Sequence, residues 1–195
     1  MIIYLDTETS GYAPGQICQL SYISETESSV TAKNFYFSVD FVDYGAYKVH
    51  GLSKEKLSVL SEGKRFCDFA HSIYEDFSLS DLIVAHNIKF DISFLSAEFK
   101  RVGIDFKPKA TFCSMQKTVK FCKLPRSWMQ GYKYPKLFEL CRHYGVTDTD
   151  IVFETQDLFG GANGFHDARF DTVAMYLAVK KAINCGDLAE LKEFI

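Results

Sequence analysis

Hydrophobic and polar positions along this chain follow first a strand rhythm and then a helix rhythm. Residues 2–5 form an unbroken apolar run that stops at Asp6, which predicts a strand buried on both faces. Residues 11–15 make a turn around Pro14, and residues 16–24 (QICQLSYIS) and 32–39 (AKNFYFSV) alternate as a second and third strand. The polar SETESS stretch between them reads as a hairpin-like connection. Residues 43–52 read as irregular, after which Ser53 as N-cap with Lys56 at N3 predicts a short helix. Phe66, Phe69, Ala70, Ile73 and Phe77 fall at helical spacing, and residues 81–85 (DLIVA) form a short strand closed by His86 and Asn87.

Residues 88–102 give the clearest helix, with Ile88, Ile92, Leu95, Phe99 and Val102 on one stripe and Gly103 ending it. At about 100° per residue Asp91 lies roughly 60° from the centre of that stripe, at or near the buried face. Residues 110–114 suit a further strand, and helices are expected around 115–122 and 136–144, the latter with Tyr144-Gly145 as C-cap. A glycine-rich linker at 160–164 leads into a long helix over about 167–183, on which Asp171, Ala174, Ala178 and Ala182 share a face. An acid followed by small residues lets such a helix press onto a sheet while presenting its carboxylate. The terminal AELKEFI reads as one or two more helical turns. Three leading strands and then strand–helix alternation predict an α/β fold, a mixed sheet with helices packed on it. With 195 residues and no internal repeat, the expectation is one domain over 1–195.

Composition changes this picture little, but charge distribution changes it more. No apolar run approaches the roughly 20 residues that cross a bilayer. Asp6 comes too early for a basic-then-apolar leader, so a soluble, cytoplasmic protein without membrane association is expected. Cysteines 18, 67, 113, 122, 141 and 185 form no C-x-x-C pair, which argues for reduced, mostly buried thiols and against a zinc site. The net charge of −3 is unevenly spread. Residues 1–50 carry six acids against Lys33 and Lys48, whereas residues 100–136 carry ten bases and a single acid, Asp105. Phe112, Phe121, Trp128, Tyr132 and Tyr134 are interleaved with those bases. That mixture suits a nucleic-acid strand, whose phosphates need neutralising and whose bases stack. A solvated basic face over ordinary core aromatics is the alternative.

The acids carry the chemistry. Side chains alternate along a strand, so Asp6 and Glu8 point to one side, where they repel and resist desolvation unless a cation lies between them. A solvated acidic turn is the other reading of this pair alone. Asp91 and Asp171 add two more carboxylates on buried faces. His166 precedes Asp171 by five residues, about 500° along a helix, so it must sit before the helix on the glycine-rich linker, able to swing. Four carboxylates with a hinged histidine match two-metal phosphodiester chemistry, with cations about 3.5–4 Å apart and an imidazole as base.

The segments DTETSG, AHNIKFDISFL and HDARFD resemble the three motifs of the DEDD exonuclease superfamily, and the spacing of His166 and Asp171 resembles its histidine subtype. That subtype includes polymerase proofreading exonucleases, ribonuclease T and oligoribonuclease. KVHGLS at 48–53 is similar to a segment that often lies between the first two motifs, and the likeness runs from Met1 to about Ile183. The resemblance implies a ribonuclease H-like sheet and release of nucleoside 5′-monophosphates from the 3′ end of DNA, single-stranded or frayed ends being favoured. It also implies two divalent cations, Mg²⁺ or Mn²⁺. Asp6, Glu8 and Asp171 would bind the first, Asp6 would share the second, and Asp91 would reach it directly or through water. His166 would be the general base, Thr9 and His50 would contact the terminal nucleotide, and Gln19 would lie near the metals. His86 is expected to position the second motif, and Asp167 to cap the last helix. An exoribonuclease of the ribonuclease T or oligoribonuclease type is the alternative within enzymes, since the motifs do not separate RNA from DNA. A nucleic-acid-binding module with little catalysis is the alternative outside them. Residues 112–136 are longer and more basic than a simple linker needs, which suggests a substrate-gripping element with Trp128 and Tyr132 as stacking rings. The chain stops about a dozen residues after its last long helix, which favours a free-standing enzyme over a subunit of a polymerase or repair complex.

Overall fold

Ile2–Leu5 are fully buried, and the strand they begin, β1 (Ile2–Thr9), runs through the middle of the molecule. The computed structural model describes residues 1–128, 130–162 and 164–194. β1 pairs antiparallel with β2 (Ile17–Glu25), which pairs antiparallel with β3 (Val30–Tyr36). On its other side β1 runs parallel to β4 (Leu82–Ala85), and β4 parallel to β5 (Thr111–Cys113). The order is β3-β2-β1-β4-β5, a mixed sheet of the ribonuclease H-like kind.

Nine helices fill the connections among the described residues. They are α1 (Tyr44–His50), α2 (Lys54–Leu60), α3 (Phe66–Leu79), α4 (Ile88–Arg101), α5 (Ser114–Lys117), α6 (Val119–Cys122), α7 (Leu137–His143), α8 (Asp148–Phe159) and α9 (Ala168–Asn184). A 3₁₀ turn, Ala189–Phe194, follows. None is long and apolar enough to cross a membrane.

The alternation of β1 sorts these helices into two layers. Ile2 and Tyr4 enter one core with Leu140 of α7, Ile151 of α8 and Val173, Ala174, Ala178 and Ala182 of α9. Ile3 and Leu5 enter the other, with Phe66, Ile73 and Phe77 of α3 and Leu95 and Phe99 of α4. Ala174 and Ala178 supply the close approach, since α9 lies against both β1 and β2. Continuing the alternation, Asp6 and Glu8 project toward the α9 layer and Thr7 toward the α4 layer.

Four sequence expectations need correction. Residues 43–52 are helical, not irregular: α1 buries none of its residues, so it leaves no apolar stripe to read. It is held by main chain instead, with the Asp43 N–H donating to the Ser10 carbonyl at 2.8 Å. The Asp43 carboxylate also fills the space that any side chain at Gly11 would need. α8 was not expected at all, because it buries only Ile151 and Thr155. Its signal lies in its ends, a reciprocal cap between Thr147 and Asp150 and Gly160 at φ 72°. The helix expected over 115–122 is two single turns, α5 and α6, broken at Thr118. The cysteines are all free, but only Cys18, Cys113 and Cys141 are buried.

Candidate active site

Everything acidic that the sequence singles out converges at the carboxyl end of β1. A register shift between Glu8 and Thr9 precedes the last pair of the β1–β2 ladder, Thr9 with Ile17, beyond which the chain turns into the 10–16 loop. From the α4 layer Asp91, only 2% exposed, accepts a 2.8 Å hydrogen bond from the Thr7 hydroxyl. From the other layer Asp171 rises in the first turn of α9, and the His166 N–H donates to its Oδ2 at 3.1 Å. His166 itself is exposed and left-handed at φ 67°, just ahead of the Asp167 cap. Glu8, His166 and Asp171 each offer a ligand atom, and these atoms lie within 4.8 Å of one another. Asp6 and Asp91 are outside that closest set but near enough to act on it electrostatically.

Burial is the main reason why these carboxyls hold their protons, and their mutual repulsion adds to it. Asp6 is raised well above the ordinary carboxylate range, by desolvation and then by Asp171, Asp91, Glu8 and Asp167. Glu8 is pushed up to about 8 by burial, then by Asp171, Asp167 and Asp91. Burial likewise takes Asp91 to about 7 against the pull of Thr7, and Asp171 to about 7 against the His166 N–H. Arg169, next to the His166–Asp167 turn, is committed to Asp167 through bonds of 2.9 and 2.6 Å. Asp171 Oδ1 is buried with no hydrogen-bond partner among the described residues. Clustered hard oxygens, raised in pKa and one of them orphaned, fit a divalent cation.

A stability prediction arises directly. The folded chain keeps these protons from the ordinary carboxylate range, about pH 4, up to about pH 7–8, whereas the unfolded chain loses them early. Folding therefore takes up protons in that window, and this part of the stability is complete below about pH 4 and lost as pH rises through about 8. In chelator, Tm is expected to fall between pH 5 and 8. At pH 8 a divalent cation at about 100 Kd should restore roughly 2.7 kcal/mol, or about 5–10 °C. A melting curve at pH 8 that ignores Mg²⁺ and Mn²⁺ would show that the carboxylates hold no cation.

Other expected residues land less simply. The Leu52 N–H donates to His50 Nδ1 at 3.0 Å, so the proton lies on Nε2, which donates to the Thr9 carbonyl at 3.1 Å. The Thr9 hydroxyl donates to the Gly11 carbonyl. Both residues thus build the wall beside Glu8 and have their polar atoms engaged. His86 bridges Ser114 Oγ and the Pro135 carbonyl, each at 3.0 Å, a joint between β4 and the segment entering α7. Gln19, paired across from Glu8, reaches the α9 cap rather than the acids: its Nε2 donates to Asp167 Oδ1 at 2.9 Å and its Oε1 accepts from the Ala168 N–H.

Trp128 is 95% exposed, and neither it nor Tyr132 lines the cleft that opens beside the acids. That cleft, of about 1240 Å³, has His166 and Asp171 on its wall together with Tyr134, Lys136, Phe138, Arg142 and Phe165. Sequence reading missed Phe138 and Phe165; the only signal was an aromatic beside a glycine-rich hinge and another just past the end of a basic stretch.

Comparison with known proteins gives one family. Residues 3–150 match a family model described as Exonuclease. The match covers Asp6, Glu8 and Asp91 and ends before His166 and Asp171. The chain is 33% identical over 156 residues to DNA polymerase III subunit epsilon of Rickettsia conorii, covering 75% of this chain and 63% of that protein. It is 30% identical over 153 residues to the Rickettsia felis protein of the same name, with the same coverage of 75% and 63%. For the Escherichia coli K12 protein the identity is 28% over 157 residues, covering 75% and 61%. The chain thus spans about three fifths of the length of these relatives.

Proposed function

The chain belongs to the exonuclease family, the DEDD superfamily its motifs resemble, and from that premise we propose that it is a divalent-metal-dependent 3′–5′ exonuclease acting on DNA. The observation that carries this reading is the convergence of Glu8, His166 and Asp171 within 4.8 Å beside a buried, orphaned carboxylate oxygen. Asp6, Glu8 and Asp171 would hold one cation and Asp6 with Asp91 a second, Mg²⁺ or Mn²⁺. When bound, such a pair supplies positive charge for the attacking and leaving oxygens. His166, exposed at the cluster's rim, takes the proton from the water that attacks phosphorus. The new P–O bond forms as the bond to the 3′ oxygen of the preceding nucleotide breaks. That oxygen takes a proton from solvent, leaving a strand shortened by one nucleotide and a nucleoside 5′-monophosphate.

DNA is preferred over RNA because the relatives are named as DNA polymerase subunits, which also supports a place within a polymerase complex rather than a free-standing enzyme. Residues 1–195 would act as one exonuclease domain. The test uses 5′-labelled single- and double-stranded DNA and RNA with Mg²⁺ or Mn²⁺. A ladder of shortened DNA, absent in chelator, is expected. No shortening of any substrate overturns the reading, and a ladder on RNA alone replaces DNA with RNA.

The exposed bases Lys120, Lys123 and Arg126 are proposed to contact phosphates as the strand approaches. Each phosphate contact on a single strand contributes about 0.7 to the slope of log K against log salt. Replacing all three by Ala should therefore lower the slope by roughly 2, measured by fluorescence anisotropy in Ca²⁺. An unchanged slope would remove these residues from the path.

A further inference from the structure

The cleft beside the acids is larger than catalysis on one terminal nucleotide requires. At about 1240 Å³ it exceeds the roughly 300–1,000 Å³ of pockets for drug-sized ligands. Its charged lining, outside the acids and histidine of the site, is Lys136 and Arg142 against a single acid, Asp148. Its rings are Tyr134, Phe138 and Phe165, all exposed. Rings for stacking and cations for phosphates, in a space continuous with His166 and Asp171, match the chemistry of a single-stranded nucleic acid.

Phe165 has a special place among these rings. It packs edge-on against Phe170 of α9, with centroids 4.9 Å apart, yet remains 40% exposed. It directly precedes His166 and follows Gly164, which is at φ 103°. The turn is tied down by a main-chain bond from the Asp167 N–H to the Gly164 carbonyl and by the His166 N–H donating to the Asp171 carboxylate, so the two side chains share one short, glycine-flanked segment. A base resting on Phe165 restricts the backbone that carries His166.

Resting on the exonuclease reading, we propose that this cleft binds the nucleotides on the 5′ side of the scissile bond, and that a base stacked on Phe165 sets the position of His166. Phe165 is thus a positioning residue: strand in the cleft and proton transfer are coupled through one turn. Phe138, on α7 and away from that turn, contributes binding alone.

Two substrates separate these effects. One is a ten-nucleotide single-stranded DNA; the other is thymidine 5′-(p-nitrophenyl phosphate), in which nitrophenolate replaces the upstream strand. For Phe165→Ala, kcat on the DNA should fall about tenfold, the scale of one lost base–aromatic stack. That loss should exceed the loss on the ester at least fivefold. Phe165→Trp, which keeps a ring, should recover at least half of the DNA activity, and Phe138→Ala should raise KM on the DNA more than it lowers kcat. Equal losses on both substrates for Phe165→Ala, or no loss on either, overturn the coupling. Wild-type protein that cleaves neither substrate overturns the exonuclease reading and this proposal with it. Cleavage of both with an unaltered Phe165→Ala ratio overturns this proposal alone.

Discussion

Replacing Asp6 by Asn is expected to abolish exonuclease activity and, in chelator, to make the protein more stable than the wild type. Asp6 feels the charges of Asp171, Asp91 and Glu8 at once, more of the cluster than any other member. As a proposed ligand to both cations, its loss should reduce kcat/KM on the order of 10³-fold or more. The same substitution removes one ionisable member from a group of carboxyls that burial and mutual repulsion push toward their protonated forms. Each pKa unit by which the neighbours relax is worth about 1.4 kcal/mol. For a chain of this length, each kcal/mol moves Tm by roughly 2–4 °C. Nuclease assays with Mg²⁺ and melting curves at pH 8 in chelator check the two halves separately. An active variant would remove Asp6 from the centre. A variant that melts lower in chelator would mean that the carboxylate supports the fold rather than straining it.

That opposition of activity and stability explains why the site was readable from sequence. A buried apolar run stopping at Asp-Thr-Glu violates local consistency, and such violations mark function. Asp91 and Asp171 were placed by periodicity, because α4 and α9 bury long stripes against the sheet. α1 and α8 escaped for the opposite reason, since they bury no residue and two residues respectively. What lies across long sequence separations was out of reach. Gln19 holds the Asp167 cap from 148 residues away, a contact that neither residue's neighbours announce. The stacking role expected of Trp128 rested on composition alone. The cleft is lined instead by Tyr134, Phe138 and Phe165, rings whose value depends on where α7 and the 164–166 turn meet.

His166→Gly is expected to lose kcat as fully as His166→Ala, by about 10²–10⁴-fold, yet to be the more stable of the two. Without the imidazole no side chain takes the proton from water, so KM should change little and the deficit should shrink at high pH as hydroxide supplies itself. The backbone at His166 is left-handed, at φ 67°. A residue with a Cβ pays roughly 1–2 kcal/mol there, and glycine does not. The strain persists because the His166 N–H must reach Asp171 Oδ2 at 3.1 Å while an imidazole nitrogen stays within 4.8 Å of the Glu8 and Asp171 carboxylates. Wild type and His166→Ala carry that strain alike; His166→Gly is released from it, less a little for the freer unfolded chain. Urea midpoints of the three proteins, measured in chelator, should therefore rank His166→Gly highest. If His166→Gly unfolds before His166→Ala, the turn is not strained at His166, and the exposed imidazole owes its place to something other than a backbone held open for catalysis.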